Sequence, residues 1–122
     1  MEKEVKRWLD KAEKDLETAE YNFKGEELEA AALFRQQSVE KALKAAHIHK
    51  NKKLAPKTHD VLFLAGEVNL PDKFISKIES LTDIYMETRY PDIEETIKLK
   101  EKDVSNFIKA TKEVLKWCKK QI

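Results

Sequence analysis

Apolar residues recur along this chain with the spacing of helices rather than strands. At 100° per residue, Val5, Trp8, Leu9, Ala12, Leu16, Ala19 and Phe23 fall within a narrow arc, which predicts an amphipathic helix over residues 3–24. Gly25 follows the last periodic residue and is a suitable stop. A second helix is predicted from about Glu26 to Asn51, and its connection to the first is short enough to make the two antiparallel neighbours. Leu28, Ala31, Ala32, Val39, Ala42, Leu43 and Ala46 form its broad apolar face, rich in alanine and so suited to close packing. Gln37, Lys41 and Lys44 gather roughly opposite. Arg35 is the exception, because it points into the middle of the apolar face.

The second half of the chain reads as shorter pieces. Residues 50–57 form a basic loop closed by Pro56. Thr58 is a candidate cap for a short third helix with Val61, Leu62, Leu64 and Ala65 facing inward. A break is expected from Gly66 to Leu70. Pro71 occupies a first-turn position, and Phe74, Ile78, Leu81, Thr82 and Tyr85 make the stripe of a fourth helix. That helix should end near Arg89, since Pro91 moves Tyr90 out of the α region. Asp92 and Glu95 have capping-box spacing, and residues 93–99 hold a turn of helix or lead into the next one. A final helix is predicted from about Lys100 to Gln121, with Val104, Phe107, Ile108, Thr111, Val114, Leu115 and Cys118 on one face. The pattern predicts an all-α bundle of four to five helices.

Composition narrows this picture. The 122 residues contain no repeat or internal boundary and are expected to form a single domain, residues 1–122, large enough for one core. Two glycines and three prolines suit a few long helices. With 24 basic and 23 acidic residues the formal net charge is +1, which argues against nucleic-acid binding by bulk charge but leaves room for a local basic patch. The wealth of Lys and Glu resembles that of many thermophile proteins. The lone Cys118 excludes an intramolecular disulfide and points to a reducing compartment. No apolar run approaches the ~20 residues of a membrane span, and the charged N-terminus has no signal core. A soluble, cytoplasmic protein is expected.

Several polar groups are candidates for chemistry. Gln37, Lys41 and Lys44 at i, i+4 and i+7 project as one row that suits a phosphate or an RNA backbone; the alternative is a solvated face with a Gln37–Lys41 contact. Arg35 requires a carboxylate, a backbone acceptor or a route to water, which favours an ion pair across the bundle or a subunit interface. In Thr58-His59-Asp60 an imidazole stands next to a carboxylate, an acid/base arrangement or simply a packing and capping one. Arg89-Tyr90-Pro91-Asp92 can stack on a base and hold a phosphate, or tie two helices together through Arg89 and Asp92. His47 and His49 face different directions, no Cys/His set has zinc spacing, and Cys118 reads as a packed thiol. No metal or cofactor is expected.

Taken in order, Trp8, Ala12, Asp15-Leu16 and Ala19, then residues 34–45 (FRQQSVEKALKA), then Thr58-His59-Asp60-Val61, then Arg89-Tyr90-Pro91-Asp92 resemble the HEPN domain family over nearly the whole chain. The resemblance implies an up-and-down antiparallel bundle and a homodimer. It also implies nucleotide or RNA association, and a minimal nucleotidyltransferase partner in a toxin–antitoxin pair. Many members are metal-independent ribonucleases using an arginine, four to six intervening residues and a histidine. This chain departs from that pattern. From Arg89 the eligible positions are Glu94, Glu95 and Thr96; from Arg35 they are Glu40, Lys41 and Ala42; from Arg7 they are Ala12, Glu13 and Lys14. The departure favours a binding or docking module using Gln37, Lys41, Lys44, Arg89 and Tyr90. The alternatives are a ribonuclease toxin with His59 and Arg89 as displaced catalytic residues, and a purely structural homodimer.

Overall fold

A computed structural model of the chain describes residues 1–79 and 100–122. Among them are α1 (Glu2–Lys24), α2 (Leu28–Asn51), α3 (Val61–Glu67), α4 (residues 72–79) and α5 (Glu101–Gln121), with no strand. The fold is an all-helical bundle. The directions follow from which residues meet. Lys41 reaches Asp15 and Lys44 lies over Trp8, so α1 and α2 are antiparallel. Glu20 meets Lys112 and Glu13 meets Lys119, so α5 also opposes α1. Arg35 stacks on Phe107, and Ala31 shares a cluster with Val104, so α5 runs alongside α2 in the same direction.

The centre of the bundle is α2, which packs against α1, α3 and α5. Every residue from Ala42 to Ile48 is buried. Seven consecutive buried positions cover the whole circumference of a helix, so this stretch has no open side. Alanines permit that closeness. Ala12 and Ala19 of α1 and Ala31, Ala42 and Ala45 of α2 are fully buried, and the Ser38 hydroxyl donates to the Ala12 carbonyl at 2.7 Å. Such an approach brings a polar side chain within reach of another helix's backbone and satisfies it there.

The turns correct several local expectations. Gly25 has an ordinary negative φ of −83°; Glu26, at 63°, takes the left-handed conformation instead. The turn closes through Glu27 N–H to the Asn22 carbonyl at 2.8 Å. The side-chain cap of α3 is Asp60, which accepts from the Phe63 N–H at 3.1 Å, whereas Thr58 accepts from the Asp60 N–H at 3.0 Å. That start turns Leu62 and Phe63 to the surface, so Leu62 does not face inward. Gly66 lies within α3, and the break begins after Glu67. Pro71 precedes α4, its carbonyl accepting from Phe74 at 2.9 Å. The expected stripe residues Leu81, Thr82 and Tyr85, and the Asp92/Glu95 capping box, lie outside the described residues.

Candidate functional site

The polar row of α2 is drawn into the seam with α1. The Lys41 ammonium meets the Asp15 carboxylate at 2.5 Å, with both side chains largely shielded from solvent. Lys41 thus pairs across the seam with Asp15, where a local Gln37–Lys41 contact is the simpler expectation from spacing. Lys44 lies deeper, 6% exposed, with its ammonium 5.2 Å from the centre of the Trp8 ring and 3.3 Å from Glu40 Oε2. A buried ammonium needs such company: the indole face and the carboxylate replace the water it has lost. Gln37 remains half-buried. Of the three, Gln37 and Lys41 keep some surface, and Lys44 keeps almost none.

Glu40 extends this seam to α3. Its Oε2 is turned to Lys44, while its Oε1 lies 3.0 Å from Nδ1 of His59. His59 itself is almost fully exposed. The contact engages Nδ1 and leaves Nε2 as the nitrogen a ligand can reach, which is how a carboxylate prepares an imidazole for proton transfer. The neighbouring Asp60 is occupied as the cap of α3. Sequence spacing gives no hint that Glu40, 19 residues away, is the partner of His59.

Arg35 is fully buried, its guanidinium carbon 4.8 Å above the centre of the Phe107 ring. It is sealed between α2 and α5, which removes it from any surface that includes the exposed His59. Arg89, Tyr90 and Asp92 lie outside the described residues. Cys118 is fully buried, and desolvation pushes its thiol from the ordinary 9.0 up to about 12. Such a thiol supplies very little thiolate near neutral pH. Among the described residues no group of His, Cys, Asp or Glu is placed to hold a metal ion, and no helix is long and apolar enough to cross a membrane.

Comparisons with known proteins agree with the architecture. The family model described as the HEPN domain matches residues 5–121. The chain is similar to the crystal structure of ST0689, an archaeal HEPN homologue, with 29% identity, 96% of each chain covered and a TM-score of 0.79. It also shares its fold with TT1696 from Thermus thermophilus, at 21% identity and a TM-score of 0.84, over 97% of this chain and 98% of that one. A comparison with functionally curated proteins gives no match. The match of the family model over almost the whole length, on a bundle of this topology, makes the chain a member of the HEPN domain family.

Proposed function

We propose that this HEPN-domain protein is a non-catalytic binding and docking module. In this reading it associates with a nucleotide or RNA, forms a homodimer, and partners a minimal nucleotidyltransferase in a toxin–antitoxin pair. The observation that carries the reading is how its polar groups are used. Asp15 and Glu40 hold Lys41 and Lys44 in fixed positions, and the buried Arg35 shares no surface with His59. The chain also lacks a histidine at the family's spacing from any arginine. Gln37 and Lys41 would face the ligand, and Arg89 and Tyr90 are the further ligand residues assigned from the sequence. The exposed Leu62 and Phe63 of α3 supply apolar area for a second copy.

Thermal unfolding in the presence of nucleoside di- and triphosphates, short RNAs and a minimal nucleotidyltransferase tests the reading. A ligand at ~100 times its dissociation constant stabilises the fold by ~2.7 kcal/mol. A rise in Tm with at least one of them is expected. The same Tm with all of them counts against the proposal.

A second reading, RNA cleavage, has one observation in its favour: the Glu40-held imidazole of His59. It requires RNA cleavage that disappears in both His59→Ala and Arg89→Ala while each variant stays folded.

A further inference from the structure

Between α4 and α5 runs a groove of about 570 Å³. One wall carries Lys73 and Lys77, a helical turn apart; the other carries Lys116 and Lys120, also a turn apart. Phe74 and Trp117 lie between them. Both rings pack against the main core, which fixes their orientation, and Trp117 remains half-buried at the groove. The walls are joined by Lys77 and Glu113 at 2.8 Å. Lys77, with help from Lys73, holds the Glu113 carboxyl below its ordinary range.

The charge of this groove is unlike that of the α5 edge facing α1. On the edge facing α1, Lys112 pairs with Glu20 and Lys119 with Glu13. Among the described residues lining the groove, four lysines stand against the single carboxylate of Glu113, a net charge of +3. Among the described residues Lys116 and Lys120 form no ion pair, while the Lys73 ammonium lies 4.9 Å from the centre of the Phe74 ring and adds to the field on Glu113. In a chain whose net charge is only +1, the described lining of this groove thus carries +3 beside an indole. Unpaired lysines lower the energy of a phosphate by releasing counterions, and a fixed aromatic face stacks on a base. Either feature alone would suit many ligands. Together they select one that carries a phosphate and a flat ring a few ångströms apart.

We infer that the α4–α5 groove binds a nucleotide unit, its phosphate held by Lys116, Lys120 and Lys73 and its base stacked on Trp117. This rests on the nucleotide- or RNA-associated reading above and adds to it a second surface, separate from the Gln37/Lys41 row of α2. The same chemistry is offered by a free nucleotide and by a stretch of single-stranded RNA. Lysines one turn apart are about 6 Å apart along the helix axis, which lets a strand place successive phosphates along a wall.

The test uses the full chain with Trp8→Phe, which leaves Trp117 as the sole tryptophan. ATP and a ten-nucleotide single-stranded RNA are titrated separately while Trp117 fluorescence is followed. Saturable quenching is expected with at least one of them; quenching by RNA alone assigns the groove to a strand, and by ATP alone to a free nucleotide. Lys116→Glu with Lys120→Glu, both exposed positions, should weaken binding at least tenfold, and the neutral Lys116→Gln with Lys120→Gln by less. Lys3→Glu, on the exposed start of α1, should leave affinity within twofold. For RNA, losing two phosphate contacts should reduce the slope of log affinity against log salt by about 1.4. A ligand that raises Tm yet neither quenches Trp117 nor responds to Lys116 and Lys120 overturns the groove and leaves the broader reading standing. Failure of ATP and RNA to bind at all removes both the groove and the nucleotide part of that reading.

Discussion

The guanidinium of Arg35 lies 4.8 Å over the ring of Phe107, so a charged side chain of α2 and an aromatic of α5 close the same part of the core. Arg35 is completely shielded from solvent. A planar cation keeps both its stacking face and its in-plane donors useful in such a place, which a compact ammonium does not. Arg35→Ala should therefore destabilise the protein by about 3–5 kcal/mol, through lost packing and disrupted buried polar contacts. Arg35→Lys should also lower the midpoint of urea unfolding. Full stability in Arg35→Lys would show that the planar group is not what this position requires.

Lys44 and Glu40 form a second buried dependence. Their side chains are 7% and 13% exposed, so removing one charge leaves the other stranded. Glu40→Leu alone should destabilise by about 3–5 kcal/mol, as when a buried pair is broken. The double variant Glu40→Leu with Lys44→Met removes both charges and should recover most of that loss. Equal or greater destabilisation in the double variant, measured by denaturant unfolding, would mean the ion pair itself is not the reason.

These two sites also mark where sequence reading reaches its limit. The helices and their order are legible, because α1 and α5 each present a clean apolar stripe such as Val5, Ala12 and Ala19. The treatment of α2 as a helix with one solvated face is less accurate. Its period is right, but neighbours on several sides bury Lys44 and His47 along with the alanines. One-helix periodicity cannot count neighbours. The choice between Thr58 and Asp60 as cap is hidden for a local reason: both are good acceptors, and only the backbone decides which oxygen meets Phe63. The α4–α5 groove needs residues as far apart in sequence as Lys77 and Glu113, 36 positions, brought side by side, so its lysines look like ordinary surface in either helix alone.

Cys118 gives a prediction in alkali. Its folded value, raised to about 12 against the ordinary 9.0, means the folded protein holds the thiol proton more tightly than the unfolded chain. The associated stability is present in full below pH 9 and is lost as the pH rises from there toward 12. The loss should approach about 1.4 kcal/mol per pH unit for this one proton. Stability measured from pH 8 to 10.5 should therefore fall more steeply for the natural chain than for Cys118→Ala. Parallel curves would contradict the burial assigned to the thiol. In native protein at pH 8 the thiol should also resist alkylation and become reactive on unfolding.

Binding without cleavage can be read from a single gel. A labelled single-stranded RNA is incubated with increasing protein and run natively, and the recovered RNA is then run under denaturing conditions. A retarded complex containing full-length RNA is expected, with retardation weakened by Lys116→Glu and Lys120→Glu. Shortened RNA that accumulates with time, and disappears in His59→Ala, would contradict it.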